Sequence, residues 1–373
     1  MIPLKSEPTM TRTRGVELHS RSPESGIRAS RWQRIGPIVS LLLLAPFISE
    51  LLYGAVRIST IFVLIPEVLT WGCGALLIRE CVRRWRKAWQ STLMMGLALG
   101  IAEEWVIQQT SISPLVALGQ HAYGRVGGVN WVYFLWALGF ESVWVVLIPV
   151  QLTELLFPVQ RERLWLHRRG LVIASTAFVL GACIAWYGWT QRARVKIFHM
   201  MPYSPPPFYI FIGVGATVLL ILAARSLPSE QPLRSRADSH AAPPPRVVGL
   251  NLGAMGFVWA IFFLLGWGTG VLPNIPAGIA LAAGLGWAII AFYLVCSWTS
   301  RFDWGDTHRV ALVLGGVVAW MLGGFVVFGV AGALRMDWIG KGVLNAAAAI
   351  WLFSLWPLGG RRTGSGGTRP TPY

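Results

Sequence analysis

Long apolar runs separated by short polar gaps set the pattern of this chain. Ten stretches stand out: 35–56, 58–79, 91–109, 130–157, 170–190, 207–224, 248–272, 276–299, 309–332 and 341–357. Crossing a bilayer takes about 20 mostly apolar helical residues over roughly 30 Å of hydrocarbon. The ten runs together hold 220 residues, a mean of 22 each. Membrane β-strands are about half that length and alternate in polarity. The pattern therefore predicts an all-α fold, a polytopic transmembrane helical bundle of about ten helices. Two gaps are short enough to fit a re-entrant hairpin as well as two spans. One is Arg57 alone, and the other is Pro273-Asn274-Ile275.

The polar segments divide the chain. Residues 1–34 read as a disordered basic cytoplasmic tail, too long and too polar for a secretory signal. Residues 35–224 form a six-helix membrane unit. Residues 225–247, with Pro243, Pro244 and Pro245, form a Pro-rich cytoplasmic linker. Residues 248–357 form a four-helix membrane unit, and 358–373 a second cytoplasmic tail.

Composition and charge sharpen this picture. Only 13% of residues are charged and mean hydropathy is +0.56, where soluble domains carry roughly a quarter charged residues. A net charge of +16 raises nucleic-acid binding as a reading, but the distribution of the charge answers it. With the N-terminus inside, 25 Lys and Arg fall on inner segments and 7 on outer ones. That asymmetry is the positive-inside rule, and an even helix count puts both ends in the cytoplasm. Tryptophans near helix ends, among them Trp85, Trp165, Trp131 and Trp189, fit the headgroup belts. Arg outnumbers Lys 28 to 4, in keeping with a GC-rich bacterial genome, so the expected location is the bacterial cytoplasmic membrane. The expected partner is the lipid bilayer and not nucleic acid. Four cysteines, Cys73, Cys81, Cys183 and Cys296, read as small apolar fillers.

Six acids break the apolar pattern. Glu50, Glu67, Glu103, Glu104, Glu141 and Glu154 all lie in the first four runs. An ionised side chain at bilayer depth costs about 2.5–3.5 kcal/mol on insertion scales. At about 1.5 Å per residue, the first five sit in the outer half or near the midplane. Glu154 sits near the inner end, within reach of Arg161 or Arg163, and reads as structural. Pro46, Pro66 and Pro149 lie in the same runs and free backbone carbonyls. Gly96 and Gly100 form a G-x-x-x-G that admits a close neighbour. Glu103 and Glu104 point about 100° apart on a regular helix, so only one of them aims straight at a given centre. Carboxylates sharing a dry site cannot all be ionised; some hold a proton, or a cation sits among them. Glu103, Glu104, Glu50, Glu67 and Glu141 are thus candidate proton- or cation-binding residues. Local pairing is the alternative, Glu50 with Tyr53 and Glu67 with Thr70. The loop 110–129 carries His121 and Arg125, candidates for an outer lid.

The segment Gly-Ile-Ala-Glu103-Glu104 resembles the first motif of the CAAX-processing and bacteriocin-processing intramembrane metalloproteases, E-E-x-x-x-R on a membrane helix. The resemblance covers the third and fourth helices and implies metal-dependent proteolysis inside the membrane. The Arg position holds Gln108, however. The family's F-x-x-x-H has no counterpart, because Phe134 is followed four residues later by Leu138 and Phe140 by Trp144. No His falls in a helix interior, where zinc would look for ligands. The resemblance therefore implies a divergent, inactive relative, with no catalytic residue and no metal assigned. No cofactor motif is present. The leading expectation is a proton- or cation-coupled transporter of a small solute. A membrane scaffold or sensor acting through its tail is the third class.

Overall fold

The structure, a computed structural model, describes residues 31–114, 123–229, 241–270 and 274–355. It is all-α, with ten helices. These are α1 (Trp32–Leu51), α2 (Ile58–Arg84), α3 (89–107), α4 (Trp131–Leu156), α5 (Arg168–Lys196), α6 (Pro207–Ser226), α7 (Pro245–Leu264), α8 (Ala277–Thr299), α9 (Asp306–Ala331) and α10 (Arg335–Ser354). All except α3 and α10 are long and apolar enough to cross a membrane, eight in total, and the chain is a multi-pass membrane protein. Hydrocarbon leaves backbone N–H and C=O groups no water to bond, so an apolar run closes its bonds within itself as a helix. A two-residue hairpin, β1 (Arg125–Val126) with β2 (Val129–Asn130), interrupts the pattern before α4.

Helix starts follow local chemistry. Pro207 and Pro245 open α6 and α7, where a missing N–H leaves no bond unmade. The Asn130 side chain accepts the Tyr133 N–H at 2.9 Å and caps α4. Several boundaries differ from the pattern, α1 ending at Leu51 and α5 running on to Lys196 among them, and two differ over buried charges. Helix α2 runs past residue 79 to Arg84, and α10 begins at Arg335 instead of 341. In both places charges that look like helix ends are buried within the helix. Arg79, Glu80, Asp337 and Lys341 are all under 4% exposed.

Burial sorts the helices into layers. The apolar windows of α5, α6 and α8 are 11% buried, against 61% for α9, so the former line the lipid and α9 is central. At the centre is a stack of aromatic rings. Trp320 lies 4.0 Å from Tyr53, 4.4 Å from Trp144 and 5.4 Å from Phe140, ring centre to ring centre. Their polar edges are satisfied: Trp320 Nε1 donates to Ser49 O at 2.9 Å and Trp144 Nε1 to Gly316 O at 3.0 Å. This core draws on helices from both sides of the segment 225–247. Close backbone approach fixes another crossing. A Cβ at Gly315 of α9 would stand 2.1 Å from Gly249 O of α7, so only glycine fits that crossing.

Candidate functional site

The five candidate glutamates come from α1 to α4, and each sits in or beside a π-helical turn. Glu50 lies in Phe47–Leu51 and Glu67 immediately precedes Val68–Gly72. Glu103 and Glu104 open Glu103–Ile107, and Glu141 lies in Phe140–Leu147. A π-turn adds a residue to one turn and re-aims the side chains that follow, and such turns recur at functional sites. Pro46, immediately before the first, and Pro66, just before Glu67, weaken the regular ladder there. The glycine pair on α3 sets the distance to α4. A Cβ at Gly96 would meet Ser142 Cα at 2.7 Å, and one at Gly100 would meet Glu141 Cβ at 3.1 Å. This close approach brings the Glu103–Glu104 turn beside Glu141.

All five carboxyls are buried and lie within electrostatic range of others in the group. Glu103 feels Glu104 and Glu50, Glu67 feels Glu50 and Glu103, and Glu141 feels Glu103, Glu50 and Glu104. Glu104 acts on both Glu103 and Glu141, so both members of the Glu103–Glu104 pair lie within range of the α4 acid. Their hydrogen bonding is uneven. Glu104 Oε2 accepts the Ser111 N–H at 2.8 Å and the Ser111 hydroxyl at 2.5 Å. Trp71 Nε1 donates to both oxygens of Glu141, at 3.3 and 3.1 Å. Glu67 Oε2 and Glu103 Oε1 are sealed from solvent with no hydrogen-bond partner. The local pairings expected for the acids give way to others. Tyr53 donates to Ala260 O at 3.5 Å, and Thr70 to Pro66 O at 3.0 Å. Tyr133 of α4, which sequence reasoning passed over as one more aromatic, lies within electrostatic range of Glu104, Glu141 and Glu50. Among the described residues, no Arg or Lys forms an ion pair with any of the five.

Metal chemistry does not suit these side chains. Among the described residues no three His, Cys, Asp or Glu side chains are grouped so as to hold a metal ion. The zinc that the protease resemblance would imply therefore has no ligand set here.

Residues 108–114 and 123–130 lie beside the Glu104 end of the site, where Ser111 bonds Glu104. Arg125 donates to Ile112 O at 3.4 Å, Ser113 O at 2.7 Å and Gly128 O, so it ties the loop to itself. Burial pushes its pKa down. Neighbouring elements hold the same loop. Tyr203 donates to Ile112 O at 2.7 Å, Arg194 to Pro114 O at 3.0 Å and Tyr123 to Ile275 O at 3.1 Å. His121 lies outside the described residues.

Glu154 belongs to a different network. Its partners are Arg83, at 2.8 Å, and Arg79, at 3.4 Å, and not Arg161 or Arg163. Arg161 pairs with Asp306 at 2.9 Å. Arg79 also donates to Glu80 at 2.9 Å and to the carbonyls of Arg161 and Arg163 at 2.5 and 2.7 Å, and it stacks on Trp165 at 3.7 Å. Glu80 in turn accepts the Trp165 N–H at 2.9 Å and Arg84 at 2.5 Å. These satisfied charges fasten the connection 157–167 to α2. The i,i+4 spacing of Glu80 and Arg84 was the sequence signal that α2 continues.

No family model, no curated protein and no solved structure matches this chain, and the reading of the site rests on its geometry.

Proposed function

We propose that this membrane protein couples the movement of a small solute to protons held by Glu50, Glu67, Glu103, Glu104 and Glu141. The carrying observation is five buried carboxyls from four helices, each within electrostatic range of another in the group, with no Arg or Lys ion pair to any of them among the described residues. Five negative charges at that depth would be prohibitive, so charge balance places protons among them. Two carboxyl oxygens without partners, on Glu67 and Glu103, leave those groups free to exchange a proton or take up a hydrogen bond. Protons are taken over a metal cation because no three His, Cys, Asp or Glu among the described residues are grouped to hold one. Carboxylates beside interrupted helices suit ion sites in carriers. In this reading residues 108–114 and 123–130, with Arg125 as their brace, cover the outward side. Both termini lie in the cytoplasm of a bacterial cell.

Proteoliposomes with a trapped pH-sensitive dye test this. An imposed pH gradient is expected to drive proton movement through the wild type and not through the double variant Glu103→Gln, Glu104→Gln. Equal proton movement in both, with the variant folded by its thermal transition, overturns the reading. A wild type that passes no protons overturns it as well.

A further inference from the structure

The buried lysine of α10 lies outside the glutamate group and makes a different kind of site. Lys341 is 3% exposed. Its Nζ donates to Leu52 O at 2.6 Å and to Tyr53 O at 2.9 Å, the carbonyls that follow the last turn of α1. The chain turns away there at Gly54, whose φ of +96° suits glycine. Two aromatic faces complete the surroundings, with the Phe325 and Phe328 ring centres 4.7 and 5.2 Å from Nζ. Gly324 keeps the space open, since a Cβ there would stand 2.5 Å from Nζ. No carboxylate forms an ion pair with Lys341 among the described residues.

Asn345, one turn further along α10, supplies the second observation. Its Nδ2 donates to Leu52 O at 3.3 Å, the carbonyl that Lys341 also uses. Its Oδ1 is sealed from solvent with no partner, and the residue is 3% exposed. Turning the amide over would offer that oxygen toward Leu52 O. Two oxygens facing each other need a cation or a two-proton donor between them. Carbonyl and amide oxygens are hard, neutral ligands, and aromatic faces attract a cation through their quadrupole. They suit a large monovalent cation better than a divalent one.

We infer that Leu52 O and Tyr53 O form a potassium- or ammonium-type cation site that the protein fills with its own Lys341 ammonium, and that Asn345 turns its amide to add Oδ1 when the ammonium is gone. The tethered ammonium replaces a free ion, so the wild type needs none at this position. Shortening the side chain vacates the site for a soluble cation of similar size. The site shares no hydrogen bond with the glutamate group, and the two proposals fail independently.

Thermal unfolding of the purified full chain in detergent tests the inference in chlorides of potassium, ammonium, sodium and N-methylglucamine, at about 100 mM each. Lys341→Ala is expected to unfold about 5 °C or more below wild type in N-methylglucamine chloride. Potassium or ammonium is expected to restore at least half of that shift, sodium less, and the wild type to respond to none. Adding Asn345→Leu to the variant is expected to remove the restoration. Lys341→Gln is the second variant, because its amide can donate to the same carbonyls without charge. It is expected to be destabilised and restored by the same ions. A Gln variant as stable as wild type without them overturns the inference. So does an Ala or Gln variant that no cation restores, including one that folds in none of the four salts.

Discussion

Ser111 places two donors on one oxygen of Glu104, and Trp71 bridges both oxygens of Glu141. A hydrogen bond to a charged group contributes about 1.5–3 kcal/mol and a neutral one about 1 kcal/mol. Ser111→Ala removes the hydroxyl and leaves the amide, so a loss of about 1–2 kcal/mol is expected in denaturant unfolding. Trp71→Phe removes the indole N–H and leaves the Glu141 carboxyl without that donor, so a loss of about 1–3 kcal/mol is expected in denaturant unfolding. The Glu154 network predicts a larger effect. Glu154→Ala would leave Arg79 and Arg83 without their shared carboxylate, and the expected destabilisation is about 3–5 kcal/mol. Thermal unfolding in detergent reads it, and adding Arg83→Leu is expected to recover part of the loss. At this scale the sequence showed which acids lie in apolar runs. It did not show that Glu154 pairs back to α2, because a pairing 71 residues apart is set by how the helices pack.

Helix spacing carries the site as much as the acids do. On α3, Gly96 and Gly100 let Ser142 and Glu141 of α4 come within contact of the backbone. Gly96→Leu would force the two helices apart, and overpacking of this kind costs about 1–3 kcal/mol. The expected outcome is a lower thermal transition together with loss of proton movement, because Glu103 and Glu104 leave Glu141. Gly315→Leu on α9 separates α7 from α9 instead, and is expected to lower stability while leaving the glutamates in place. The Gly96–Gly100 motif was legible as a close-packing signal, and so was the existence of each helix; the Gly249–Gly315 crossing was not. The π-turns were not. They arise where a regular helix yields one residue of register to fit its neighbours, and Glu103 and Glu104 open one of them.

At the scale of the whole molecule, the positive-inside asymmetry predicts which face meets the cytoplasm. With the four native cysteines replaced, a cysteine at Val126 is expected to react with an impermeant maleimide on intact cells. A cysteine at Val159 is expected to react only after lysis. Both positions are more than 70% exposed, so the opposite result would invert the topology. The sequence by itself determined the all-α membrane architecture, the number of helices and the residues that break the apolar pattern. Bilayer thickness and the backbone's need for internal hydrogen bonds act on each run separately, so those features are local. Tertiary structure alone decided which charges are buried and with whom. Arg79, Glu80, Asp337 and Lys341 read as helix ends because a charge in isolation belongs in water. Each is buried because a distant segment supplies its partner: the 157–167 connection for Arg79 and Glu80, Ser59 for Asp337, and the end of α1 for Lys341.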